Sequence, residues 1–250
     1  MAKSVRRAYL AELFEGSREL DPETSRYLNS VLRLQEGDEV EFFDGQGLLS
    51  PAVILEASKR SLKVELLSIN AVRPLEPAIH LYCALAKGDR TEWLIEKCSE
   101  LGATSLHWVI YERSQDHKKD HSKRFERWHK IACEAARQSH NAWVPRLHPP
   151  TKFFDALAQV KSNGTTLVLD TNEKTRPLPS LPLDAHQPIN LFIGPEGGFT
   201  NNERQEFEKR QWASVTLGPT VLRIETAAIT GISVIRNHPA ISISTSRAHE

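Results

Sequence analysis

Along the first 70 or so residues, apolar positions alternate with polar ones in short runs. Val40-Glu-Phe-Phe43 and Leu48 to Leu55 flank the turn Asp44-Gly45-Gln46-Gly47. After a second turn at Lys59-Arg60, Leu62, Val64 and Leu66 alternate with polar residues. Period-two runs broken by glycine and aspartate predict short strands and a hairpin. A helical stretch from Pro22 to Leu32 interrupts them. Several short strands packed into so little chain predict a small barrel. The segment Ala71 to Pro77, with Pro74 and Pro77, reads as a stiff linker.

From Ala78 the rhythm changes. Ile79 to Ala86 is a continuous apolar run, and Leu106 to Ile110, Thr165 to Leu169, Ile189 to Ile193 and Ala213 to Leu217 repeat that pattern. Short apolar runs bounded by turn residues predict buried strands. Between them, Trp93, Leu94, Cys98 and Leu101 follow helical spacing, with Gly102 as the stop. Phe125, Trp128, Ala132 and Ala135 mark one face of a long helix, and Phe153 to Lys161 forms a shorter one. Thr200 followed by Glu203 is a capping box, so a helix is expected from Asn201. A last helix runs from Glu225 to about Asn237. Strands alternating with helices predict a parallel, doubly wound α/β sheet.

Composition narrows the function classes. The chain has 250 residues and a formal net charge of +0, so any nucleic-acid contact must come from local basic patches. Arg113 to Lys130 is one such stretch. The three cysteines, Cys83, Cys98 and Cys133, show no paired spacing, which argues against a disulfide or zinc framework and for a reducing compartment. No apolar run resembles a signal peptide or a membrane span, so a cytoplasmic location is expected. His117 and His121 lie four apart, but no third ligand accompanies them, and no metal is expected. No GxGxxG follows a strand and no P-loop pattern occurs, which disfavours a dinucleotide oxidoreductase and a nucleotide hydrolase.

The chemistry concentrates between residues 189 and 237. An apolar strand ends in Gly194-Pro195-Glu196-Gly197-Gly198-Phe199-Thr200, and a second ends in Leu217-Gly218-Pro219 before Leu222-Arg223-Ile224-Glu225-Thr226-Ala227. Glycine lets the backbone take positive φ and bring its amides close to a ligand. Two such loops at strand ends can form two walls of one pocket, at the carboxyl edge where open α/β sheets bind ligands.

The joint pattern GPEGGFTxxE and LGxxxLRxETA resembles the 16S ribosomal RNA (uracil-N3)-methyltransferases, a branch of the SPOUT methyltransferases. Lys87-Gly88-Asp89-Arg90, Glu100-Leu101-Gly102, Glu112-Arg113-Ser114 and Arg127 to Ser139 carry the same likeness, so it covers nearly the whole chain. It implies a PUA-like β-barrel RNA-binding domain over residues 1–72 and a trefoil-knotted SPOUT methyltransferase domain over 73–250. S-adenosylmethionine is the implied cofactor. The implied cofactor-binding residues are Leu169, Thr171, Gly194, Pro195, Glu196, Gly197, Gly198, Leu217, Gly218, Leu222, Thr226 and Ala227. Arg223 and Glu225 are the candidate catalytic residues. Glu196 is a second candidate base, and Glu225 can instead stabilise a helix N-terminus. Candidate RNA contacts are Arg6, Arg7, Arg26 and Arg33 in the barrel, with Lys87, Arg90 and Arg113 beyond it. The implied partners are 16S ribosomal RNA within the small ribosomal subunit and a second copy of the chain. Ala227, Ala228 and Gly231 would permit close packing in that homodimer.

One departure stands out. After Gln138-Ser139 the family continues Gly-Arg, whereas this chain has His140-Asn141, with Arg137 and Arg146 as candidate substitutes for the arginine. Two other readings stay open at this point. A SPOUT ribose 2′-O-methyltransferase would share the glycine turn, and a ribosome-assembly factor could keep the fold without the activity.

Overall fold

The computed structural model describes residues 6–58, 61–114, 122–160, 163–172 and 175–241. The expected turn at Lys59-Arg60, the pair His117 and His121, and the basic residues Lys118 and Lys119 lie outside them. The chain divides into two compact units, residues 1–74 with 136–144, and residues 75–135 with 145–250.

In the first unit, β1 (Arg7–Tyr9), β2 (Gly16–Glu19), β3 (Glu39–Phe43), β4 (Leu48–Ala57), β5 (Leu62–Leu66) and β6 (Asn70–Ala71) form one sheet. Its order is β1-β3-β4-β5-β2, with β6 on β4. All pairs are antiparallel except β1 with β3. Between β2 and β3, α1 (Pro22–Arg26) continues into a π-helical turn, Tyr27–Val31. Asp21 caps α1, accepting from the amides of Glu23 and Thr24. Alternation on the strands sends Val40, Phe42, Ala52, Ile54, Leu62, Val64 and Leu66 into one core with Leu28 of the π turn. Burying a side chain of this size contributes about 1.5–3 kcal/mol.

Residues 136–144 belong to this unit. The Gly47 amide donates to Ala142 O, the Val144 amide donates to Gly45 O, and the Trp143 indole donates to Val72 O. A Cβ on Gly47 would fall 2.3 Å from the Trp143 ring, so the hairpin tip needs glycine there. Within this loop His140 has φ 56, a left-handed conformation that glycine adopts without cost. Glycine, the residue that the family resemblance implies here, suits that conformation. Asn141 acts as a turn residue, its Oδ1 accepting from the Trp143 amide at 3.0 Å. Arg137 lies over the Tyr27 ring at 5.4 Å.

The second unit holds β7 (Ile79–Cys83), α2 (Arg90–Glu100), β8 (Ser105–Ile110), most of α3 (Ser122–Gln138), β9 (Arg146–Lys152), α4 (Phe153–Gln159) and β10 (Thr165–Leu169). It continues through β11 (Arg176–Pro177), a 3-10 turn at Leu178–Ser180, β12 (Ile189–Ile193), α5 (Asn201–Lys209), β13 (Ala213–Thr216) and α6 (Ile224–Arg236). The sheet order is β11-β13-β10-β12-β7-β8-β9, and every pair is parallel. β12 lies at its centre and is buried at all five positions, as its unbroken apolar run requires. Strand β9 is one that the sequence pattern did not predict. It is an edge strand, and Pro149 and Pro150 fall where its register against β8 shifts, a place where proline is tolerated.

After β13 the chain returns across the sheet, so α6 packs on β12 and β7 while also touching the turn at Leu178–Ser180. Gly231 makes that approach possible, since a Cβ there would lie 2.8 Å from the Leu191 side chain. Ala228 is fully buried as well. The small residues of α6 therefore serve packing within the chain, which corrects the expectation that they form a surface for a second copy. Trp93 also departs from its expected place: Leu94 and Cys98 are buried on α2, whereas the indole is 45% exposed.

Candidate active site

Three neighbouring strands, β13, β10 and β12, end on the same edge of the parallel sheet. The loops that follow them enclose a cavity of about 340 Å³, within the range of small-molecule sites. The β10 loop contributes Leu169, Asp170 and Thr171, the β12 loop residues 194–199, and the β13 loop Leu217, Thr220, Val221 and Leu222. Ile224 and Ala227 of α6 complete one side.

Local chemistry fixes each wall. The β12 turn closes through a bond from the Gly198 amide to Pro195 O, with Gly198 at φ +67. At Gly194 a Cβ would meet the Phe199 ring at 3.0 Å. Thr200 caps α5 by accepting from the Glu203 amide, while Glu203 Oε2 accepts from the Thr200 amide at 2.7 Å. The other oxygen of Glu203 accepts from the Glu112 amide at 2.9 Å, joining the turn to the segment after β8. From that segment Arg113 donates to Gly197 O at 2.9 Å. A Cβ on Gly197 would stand 3.2 Å from the Arg113 side chain. The β10 wall is held by Arg204, whose Nε and Nη2 reach Asp170 at 2.8 and 3.2 Å. The bonded Asp170 carboxylate pushes the Arg204 guanidinium's pKa upward. In the β13 loop, Gly218 has φ +151 and both its amide and its carbonyl bond the Thr216 hydroxyl.

Most expected cofactor-binding residues thus converge. Leu169, Thr171, Gly194, Pro195, Glu196, Gly197, Gly198, Leu217, Leu222 and Ala227 line the cavity. Gly218 and Thr226 do not; Gly218 shapes the loop, and Thr226 points to solvent from α6. Asp170, Arg204, Phe199 and Ile193 were missed, although Asp170 directly follows a recognisable strand end. Glu196 is exposed on its turn. Arg223 is the exposed N-cap residue of α6. Glu225, only 5% exposed, faces Arg90 of α2, with Oε1 3.7 Å from the guanidinium Nε.

The arginines expected to meet RNA differ among themselves. Arg6, Arg26 and Arg33 are exposed in the first unit, and Lys87 and Arg113 in the second. Arg7 departs from expectation: it is buried, paired with Glu41 and placed over the Phe43 ring. Its charge is consumed inside the barrel rather than offered to phosphate.

The residues present fit S-adenosylmethionine. A glycine turn that admits close backbone approach, apolar walls from Ile193, Leu217 and Leu222, and a few polar groups suit a nucleoside carrying a thioether arm.

Residues 73–236 match the family profile of the RNA methyltransferase domain, and residues 20–67 that of the RNA methyltransferase PUA domain. The chain belongs to the RNA methyltransferase family. A Bacillus subtilis relative, ribosomal RNA small subunit methyltransferase E, is 32% identical over 85% of this chain and 87% of its own length. A Synechocystis protein of the same name is 30% identical over 90% of this chain and 74% of its own length. The crystal structure of ribosomal RNA small subunit methyltransferase E from Neisseria gonorrhoeae, bound to S-adenosyl methionine, superposes with a TM-score of 0.83. It is 31% identical and covers 93% of this chain and 97% of its own. The fold is therefore a PUA-like domain followed by an α/β RNA methyltransferase domain built on a parallel sheet, and it is the Neisseria gonorrhoeae structure that holds S-adenosyl methionine.

Proposed function

We propose that this protein methylates N3 of a uridine in the decoding region of 16S ribosomal RNA, with the small ribosomal subunit as its natural substrate. The observation that carries the reading is the convergence of three strand-end loops on one cavity in a chain of this family. When bound, S-adenosylmethionine supplies a sulfonium methyl. The glycine turn at Gly194–Gly198 and the loop at Leu217–Leu222 hold its nucleoside, and Leu169, Thr171 and Ala227 close the remaining side. Holding donor and acceptor in line supplies much of the acceleration in such a transfer. Arg223, exposed at the start of α6, would meet the RNA.

In this reading residues 1–72 grip the RNA backbone through exposed cations such as Arg6 and Arg26, while the base is read at the pocket. Residues 73–250 act as the catalytic domain. The helix α6 touches both β12 and the turn at Leu178–Ser180, and the family resemblance implies that the chain there follows a trefoil-knotted path. Exposed Trp93 and Val221 support a homodimer that covers them. A cytoplasmic location follows from the ribosomal substrate.

The test is incubation of purified protein with labelled cofactor and unmodified small subunits, followed by nucleoside mass spectrometry. Label on uridine N3 is expected; label on ribose or another base overturns the assignment. Sedimentation at micromolar concentration tests the dimer.

A further inference from the structure

Four rings stack in one column across the sheet of the second unit. Phe192 of β12, Tyr82 of β7, His107 of β8 and His148 of β9 hold matching register positions on neighbouring strands. Their centroids lie 4.6, 4.3 and 3.9 Å apart, with planes tilted by 6°, 11° and 7°. The strands themselves set this spacing, since they repeat about every 4.8 Å in a sheet. The Ser105 hydroxyl fixes the column laterally, bonding His107 Nε2 at 2.8 Å and His80 Nδ1 at 2.7 Å.

Burial falls along the column. Phe192 and Tyr82 are buried, whereas His107 and His148 are partly exposed. Phe192 meets Trp212 on its far side, so Phe192, Tyr82 and His107 each have a ring on both faces. Cross-strand packing accounts for those three. His148 differs. β9 is the last strand of the sheet, and among the described residues His107 is the one ring stacked on His148. The column therefore ends in a flat π-face at the sheet's edge.

That edge is positive. β9 carries Arg146 and Lys152, both exposed, and no carboxylate occurs from Ala135 to Phe154; Asp155 of α4 is the first acid after the strand. Arg146 shares a face with His148, two residues along the strand. Burial, then the Arg146 charge, lowers the His148 pKa and holds its ring towards the neutral form. A flat ring face beside a cation suits a nucleotide, which brings a base to stack and a phosphate to pair.

We propose that an unpaired nucleotide of the substrate RNA extends the column, its base stacked on His148 and its phosphate paired with Arg146. This deepens the RNA methyltransferase reading above and rests on it. The contact is separate from the cofactor cavity, none of whose lining residues belongs to β8 or β9. Stacking accepts any base, so the contact adds grip and register rather than sequence choice.

The test uses the full chain with a short single-stranded RNA carrying 2-aminopurine, followed by fluorescence, and with small ribosomal subunits. Wild-type protein should quench the probe. His148→Ala should lose the quenching and weaken RNA binding by about 5- to 150-fold, with cofactor affinity unchanged. His148→Phe should keep both properties, whereas His148→Leu, similar in bulk but not aromatic, should lose them. Arg146→Ala should reduce the salt slope of RNA binding by about 1. Quenching retained in His148→Ala, or equal affinities in His148→Phe and His148→Leu, would overturn the proposal. So would sedimentation showing that His148→Ala splits a dimer, which would give the ring face to a second copy. Methyl transfer by a wild-type protein that does not quench the probe would strike this contact alone; quenching without methyl transfer would strike the function and leave the contact standing.

Discussion

Arg204 of α5 grips Asp170 at the end of β10 with two nitrogens, at 2.8 and 3.2 Å. The pair ties the helix that follows the glycine turn to the end of the strand that supplies the neighbouring wall. Neither residue needs to touch the cofactor to shape its pocket. Charge-assisted, forked pairs of this kind hold geometry better than single bonds. Arg204→Ala should loosen the β10 wall and weaken S-adenosylmethionine binding by about tenfold, equivalent to about 1.4 kcal/mol. Calorimetry on Arg204→Ala and Asp170→Asn checks it, and affinity equal to wild type in both would show that the wall is held otherwise.

The glycine turn makes a sharper prediction. Gly198 has φ +67, where an L-residue costs about 1–2 kcal/mol. Gly197 is different: its conformation tolerates a side chain, but the Arg113 stem would be 3.2 Å away. Gly197→Val should therefore displace Arg113 from Gly197 O and lower cofactor affinity, whereas Gly197→Ala should be milder. Gly198→Ala should lower the unfolding free energy as well as affinity. Denaturant titration beside calorimetry separates the two outcomes.

His107 links stability to pH. It stacks between Tyr82 and His148, at 4.3 and 3.9 Å, and bonds the Ser105 hydroxyl through Nε2. Burial, then the neighbouring His148 and His80, pushes its pKa down to about 3. A histidine kept neutral by the fold takes up its proton more readily when unfolded, where its pKa is about 6.5. Its contribution is present above that value and is lost as pH falls from about 6.5 towards 3. Burial lowers His148 and His129 too, with the same sign. Replacing His107 by Gln should flatten the loss of stability between neutral and mildly acidic pH. Urea midpoints across that range provide the measurement, and an unchanged slope would count against the assignment.

Arg6, Arg7 and Arg26 should separate cleanly. Arg26 and Arg6 are exposed, so Arg26→Ala or Arg6→Ala should weaken RNA binding and reduce the salt slope by about 1. Arg7 is buried against Glu41, and removing one partner of such a pair costs about 3–5 kcal/mol. Arg7→Ala should thus lower the first unit's stability before it changes the salt slope. RNA titrations at several salt concentrations, with thermal melts of each variant, decide between these roles.

Local pattern carried a large share of this molecule. The buried strands β7, β8, β10, β12 and β13, the capping box of α5 and the two glycine loops are legible because each depends on side-chain periodicity or backbone freedom within a few residues. Even the glycine expected where His140 stands has a local cause, the left-handed φ at that position. Tertiary structure decided what depends on distant partners. The strand β9 exists because β8 offers it an edge, despite two prolines that no local pattern would place in a strand. Residues 136–144 leave the helix they end and join the hairpin tip at Gly45 and Gly47. Arg7 and Arg6 are neighbours in sequence, yet one is buried by Glu41 and Phe43 and the other is exposed. Asp170 entered the site through Arg204, and Glu225 found Arg90, across gaps of 34 and 135 residues. Periodicity states which face a side chain takes. Which charge it meets there is set only when remote segments are brought together, because the energy of a buried ion depends on the partner rather than on its own position in the chain.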